Sequence, residues 1–183
     1  YCREFSVASS QLFSFLVMMV VLFPLISIYL MYKNKVITTY SMPNRKERLP
    51  VLFFMITYYS MTYYIFRNWN ETLLNLLSPY LSFLFATLIL LIILLLITAL
   101  WKISLHTASI AGLSGGLMAE LAVASEVSNS TVIVVINSII LLLLGVVSFA
   151  RFYLKAHTFM QTIAGLVLGF SVMFTVVYFQ WKI

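Results

Sequence analysis

Residues 88–97 are leucine or isoleucine without exception. They lie within a longer apolar segment, 79–101, and about 20 such residues cross the hydrocarbon core of a bilayer. Five further segments have similar character, at 11–32, 49–66, 104–125, 131–154 and 158–181. Backbone polar groups in lipid must be satisfied within their own segment, so these spans are read as helices. The runs are unbroken rather than alternating, which excludes a β-barrel. The expected fold class is all-α: a polytopic, multi-pass integral membrane six-helix bundle forming one domain over residues 1–183. Pro24 is expected to kink the first span.

Composition agrees. The chain is 63% hydrophobic and 9% charged, with a mean hydropathy of +1.06. Soluble domains are nearer half apolar and a quarter charged. All five acidic residues are Glu, so the net charge of +6 reflects scarce acids as much as abundant bases. It is not read as a nucleic-acid footprint. One cysteine, Cys2, excludes an internal disulfide. Two histidines and no Asp leave too few ligands for a structural zinc site, so no metal and no cofactor are expected. The chain opens on Tyr1 rather than Met, so further sequence is expected upstream, with room for another membrane helix.

The connections carry the polar chemistry. The longest, 32–48, holds Lys33, Lys35, Arg45, Lys46 and Arg48. Residues 67–78 read as a short amphipathic interfacial helix. Lys102 and Ile103 join the third and fourth spans, 126–130 joins the next pair, and Ala156 and His157 turn into the last. With six spans, eight of the eleven Lys and Arg fall on one face, as do both histidines, His106 and His157. The positive-inside rule explains the lysines and arginines but has no use for imidazole. Histidine is the side chain suited to proton transfer and nucleophilic attack near neutral pH.

Arg151-x5-His157-x3-Gln161 resembles the third motif, Ser-Arg-x5-His-x3-Asp, of the type 2 phosphatidic acid phosphatase superfamily. Ser104-Leu105-His106 resembles the second motif, Pro-Ser-Gly-His. The interval between them also suits that family, whose core is a six-helix bundle. The resemblance implies that His157 attacks phosphorus to form a phospho-histidine, and that His106 protonates the leaving oxygen. It also implies that Arg151 and Ser104 hold phosphate oxygens, with Lys102, Arg45 and Arg48 completing the cradle. Phosphoryl transfer needs chiefly placed positive charge and an in-line nucleophile, and arginine grips phosphate with two donors at once.

The departures from the pattern are specific. Gln161 replaces the acid that would orient and charge-stabilise the nucleophilic ring. The comparable loss of an acid in serine proteases costs about 10⁴-fold. Ala150 replaces the serine before the arginine, and Ile103 and Leu105 replace the proline and glycine of the second motif. The first motif, Lys-x6-Arg-Pro, has no full counterpart: Ser41 stands seven positions before Arg48, and Leu49 separates Arg48 from Pro50.

Other residues have competing readings. Glu120 lies within about 40° of His106 on one helical face at 100° per residue. It is either functional, being costly to bury, or bonded to a neighbour such as Asn137 or Ser138. Gly112-x3-Gly116 and Gly165-x3-Gly169 are small-residue patterns for close helix packing; a homo-oligomer is the alternative use. The tyrosines of 57–64 are either the wall of a lipid groove or packing residues. Trp69, Trp101 and Trp181 read as interfacial anchors.

The expected function is metal-independent hydrolysis of a phosphate ester or diphosphate on a lipid, in the plasma (inner) membrane. Two alternatives stand beside it. One is a degenerate relative that binds a phosphorylated lipid or serves as a subunit of a larger membrane complex. The other is a small transporter or channel. Charge counting puts the histidine face in the cytoplasm, whereas the resemblance puts it outside.

Overall fold

A computed structural model describes residues 13–68, 71–123 and 130–180. Cys2, Trp69, Trp181 and the connection 124–129 lie outside them. The described residues form helices joined by short turns. We number them α1 (Phe13–Lys33), α2 (Arg45–Arg67), α3 (Glu71–Leu100), α4 (Leu105–Val123), α5 (Ser130–Tyr153) and α6 (Phe159–Gln180). All except α4 are long and apolar enough to cross a membrane. The chain is therefore an all-helical protein of membrane character.

The helix beginning at Glu71 runs unbroken to Leu100. The separate interfacial helix expected within 67–78 is thus the first two turns of α3. Near Pro24 the chain adopts a π-helical turn, Met18–Leu22. A proline inside a helix lacks an N–H and crowds the carbonyl four residues earlier. The wider turn accommodates that crowding, so the irregularity expected at Pro24 falls just before it.

The polar helix α4 lies at the centre. Ala86, Leu90 and Leu94 of α3, Ala108 and Ala119 of α4, and Met173 and Val177 of α6 form one buried cluster. The α4–α6 contact is the most extensive in the molecule, and small residues make it possible. A Cβ on Gly169 would lie 2.0 Å from the Ala108 carbonyl oxygen, and one on Gly115 2.4 Å from that of Phe170. Surrounded by other helices, α4 can afford its serines, glycines and glutamate where a lipid-facing helix could not.

The outer helices are held differently. Between α4 and α5, the buried Ser114 hydroxyl donates to Asn137 Oδ1 at 2.8 Å. Bonds of this kind between membrane helices contribute about 0.6 kcal/mol each. Asn137 is thus paired with Ser114, and Ser138 donates to its own helix at Val134; neither serves Glu120. The tyrosine-rich stretch of α2 stitches α1 to α3. Tyr58 shares a 2.6 Å hydroxyl contact with Ser27, and the Tyr63 ring lies 5.3 Å from that of Phe85.

Candidate functional site

Three chain reversals at one end of the bundle place the polar side chains. The first follows α5. Lys155 takes φ 50°, its N–H donates to the Phe152 carbonyl, and the Ala156 N–H donates to that of Arg151. This is the Schellman arrangement that ends helices with a left-handed residue. The next N–H, that of His157, also reaches the Arg151 carbonyl, at 3.3 Å. The five-residue spacing of the arginine–histidine motif therefore has a local cause: the turn folds His157 back over the last turn of α5.

The second is the start of α6. Thr158 Oγ1 accepts from the Gln161 N–H at 3.4 Å, and Gln161 Oε1 accepts from the Thr158 N–H at 3.2 Å. Thr158-x-x-Gln161 is thus a capping box, a signature legible in the sequence. The third is the turn between α3 and α4, tied to α6 by a 3.3 Å bond from the Ser104 N–H to the Gln161 carbonyl.

Around these reversals lies one cavity of about 350 Å³. His106, His157, Arg48 and Arg151 meet there, drawn from three separate stretches of chain. Tyr40, Ser41 and Met42 of the 34–44 loop cover part of it, and Ser109 sits beside His106. The rest of its lining is largely apolar: Ile28, Val51, Met55, Leu91 and Leu94 come from α1, α2 and α3. The cavity is amphipathic, lined by two arginines and two histidines together with hydrocarbon side chains.

Arg48 is buried and fixed, its Nε donating to the Met42 carbonyl at 3.0 Å and its Nη1 to that of Ile103 at 3.3 Å. Arg151 has five donors and no hydrogen-bond acceptor among the described residues. Both arginines act electrostatically on His106 and His157. No carboxylate lines the cavity. Positive charge drawn partly out of water without a carboxylate beside it is costly, and an anion placed there would offset that cost.

His157 is 6% exposed. Burial pushes its pKa down to about 4, helped by the charge of Arg48 and more weakly by Lys102 and Arg151, while the bond to Gln161 opposes the shift. The ring is neutral at pH 7, and its tautomer follows from Gln161. The Thr158 N–H can only donate, so the Gln161 atom it meets is the carbonyl oxygen. That same oxygen lies 3.2 Å from His157 Nδ1, so Nδ1 carries the proton and Nε2 keeps its lone pair.

Arg45, Lys102 and Ser104, also singled out from the sequence, lie elsewhere. Arg45 is exposed and donates to the Leu100 carbonyl, capping α3. Lys102 lines a separate depression together with Lys155, Gln161 and His157. Ser104 is fully buried, and its hydroxyl has no partner among the described residues. Ser41, standing where the phosphatase motif has lysine, does line the cavity. Tyr40, Met42 and the apolar lining had not been foreseen; only the short distance of the loop from Arg48 in sequence hints at them. The tyrosines of α2 do not line the cavity. Among the described residues no three His, Cys, Asp or Glu gather in a way that could hold a metal. No protein family, curated protein or solved structure matches the chain.

Proposed function

We propose that the protein is a metal-independent lipid phosphatase of the type 2 phosphatidic acid phosphatase kind, a six-span bundle of the plasma (inner) membrane. One observation carries the reading: both histidines and two arginines without acidic partners line a cavity whose remaining lining is largely hydrocarbon. A phosphorylated lipid has that duality. Its phosphate suits Arg48 and Arg151, and the first carbons of its chain suit Met55, Leu91 and Leu94.

The reaction has two steps. His157 Nε2 attacks phosphorus, the P–O bond to the lipid breaks, and His106 delivers a proton to the departing oxygen. The phospho-histidine is then hydrolysed by water, whose proton returns to His106, releasing inorganic phosphate and restoring His157. Arg48 and Arg151 stabilise charge on the transferring group in both steps. Arg48 is held by two carbonyls before substrate arrives, so little reorganisation remains for the moment of reaction.

The test is phosphate release by the reconstituted protein from a panel of phosphorylated and diphosphorylated lipids. His157→Ala should abolish it, His106→Ala should slow it, and EDTA should leave it unchanged. Release that survives His157→Ala would refute the nucleophile assignment. A second reading rests on Gln161, which orients the nucleophile without giving it charge: binding of a phosphorylated lipid without turnover, either alone or within a larger membrane complex. Absence of release alongside binding that is lost in Arg151→Gln would favour it.

A further inference from the structure

Beside His157, which also lines the cavity, lies a second, open depression of about 720 Å³. Phe149 and Phe152 near the end of α5, and Phe159 at the start of α6, form its walls; Lys102, Lys155 and Gln161 bring its polar groups. The reaction above leaves it unused, because in-line transfer puts the leaving group opposite the nucleophile, within the cavity beside His106.

Its charged side chains are both cations, and Tyr153 and Thr158 add hydroxyls. Gln161 Oε1 is already engaged by Thr158 and His157. Gln161 Nε2 keeps two N–H donors with no acceptor among the described residues. No carboxylate lines the depression beside Lys102 and Lys155. Lys155 also holds a left-handed φ of 50°, where glycine would sit without strain but would bring no charge. The three rings are 66%, 55% and 60% exposed, at the level where two membrane helices end. Aromatic rings and lysines side by side at that level match the boundary between acyl chains and headgroups.

We propose that this depression binds an anionic phospholipid of the surrounding leaflet, its phosphate on Lys102, Lys155 and the Gln161 amide, and that this anion supplies beside His157 the negative charge that Gln161 lacks. An anion at Nε2 polarises the amide and makes Oε1 a stronger acceptor for the Nδ1 proton of His157. It also offsets the charge of Lys102, which works against a positive ring at His157. Both effects favour the imidazolium that develops as the phospho-histidine forms. The activating half rests on the phosphatase reading; the binding half does not.

The experiment compares the protein in nanodiscs of phosphatidylcholine alone with nanodiscs containing added phosphatidylglycerol. Phosphate release is measured in each, and lipid retained on the detergent-purified protein is read by native mass spectrometry. Phosphatidylglycerol should be retained over phosphatidylcholine and should raise release roughly tenfold, an ordinary coupling between two sites. Lys102→Gln/Lys155→Gln should lose both the retained lipid and the response. Gln161→Glu should work without phosphatidylglycerol and gain nothing from it. Equal retention of the two lipids, or equally tight binding of soluble glycerol phosphate, would overturn the lipid site. Equal release in both nanodiscs would overturn the activation and leave the phosphatase standing. No release in either would remove the phosphatase reading and the activation together, and retention alone would then decide the binding.

Discussion

His157 Nδ1 and Gln161 Oε1 lie 3.2 Å apart, and the same oxygen accepts from the Thr158 N–H at the first turn of α6. One atom thus caps a helix and sets the tautomer of the proposed nucleophile. It performs the orienting half of an acid's task and omits the charge.

Substitution at position 161 separates the two halves. Gln161→Glu keeps length and both acceptor contacts, since Glu serves a capping box as well as Gln, and it adds the missing charge. Phosphate release should rise, by tenfold or more if about 1.4 kcal/mol of imidazolium stabilisation is recovered. Gln161→Asp should also gain, but less, because the shorter side chain cannot keep both contacts. Steady-state release by the three forms, with helicity checked by circular dichroism, measures this. A loss in Gln161→Glu with folding intact would show that charge is not what the site lacks.

Acid stability provides a second check. His157 titrates near 4 in the folded chain and near 6.5 when unfolded. Between those values the unfolded chain binds more protons, so stability rises with pH across that window. It is lost progressively as pH falls from about 6.5 towards 4 and changes little from this group below that. His157→Gln, which cannot titrate, should flatten the window. Thermal unfolding in detergent between pH 4 and pH 7 measures the difference in slope, and parallel curves for the two forms would contradict the buried neutral ring.

The glycines divide by what stands over them. A Cβ on Gly169 would strike the Ala108 backbone, whereas one on Gly145 meets nothing within 4 Å. Gly169→Ala should destabilise by about 1–3 kcal/mol, the ordinary result of overpacking. Gly145→Ala should stabilise by roughly 0.5–1 kcal/mol through helix propensity. Gly165→Ala is the informative case. Its Cβ would lie 2.6 Å from the Ser104 carbonyl oxygen and 2.7 Å from Thr107 Oγ1, at the turn that carries His106. It should slow phosphate release out of proportion to its effect on melting temperature.

How far the sequence foretold all this varies with the kind of interaction. Apolar runs mark where helices lie, because hydrophobic length is a local property; α3 and α5 follow directly. The continuity of α3 through Glu71 was missed, since polar residues at its start look like a loop. Among the site residues, Arg48 and Arg45 are only three positions apart and equally basic. One is buried against the Met42 and Ile103 carbonyls, and the other caps Leu100. Which arginine turns inward depends on how α2 is rotated against α3, a tertiary fact that no spacing records. The dual use of Gln161 was closer to hand, because Thr-x-x-Gln before an apolar run is itself a start signal.

The covering loop provides the last prediction. Ser41 lines the cavity with Arg48, at the position where the phosphatase motif carries lysine. Ser41 is exposed and among the described residues its hydroxyl pairs only with Thr39, two residues earlier, through a 3.0 Å contact, so the fold should tolerate a longer side chain. Ser41→Lys would bring a third cation to a cavity that lacks acids. At 4 Å a unit charge is worth about 1 kcal/mol against an anion in water, and about 4 kcal/mol at the effective dielectric near a protein surface. Binding of a phosphorylated lipid should therefore tighten roughly tenfold, and more at low salt because the loop is open to screening. Microscale thermophoresis with a lipid phosphonate that cannot be hydrolysed gives the affinity of both forms across a salt series. Equal affinity at every salt concentration would mean that the anion does not sit beneath the loop, and would move the proposed phosphate site away from Arg48.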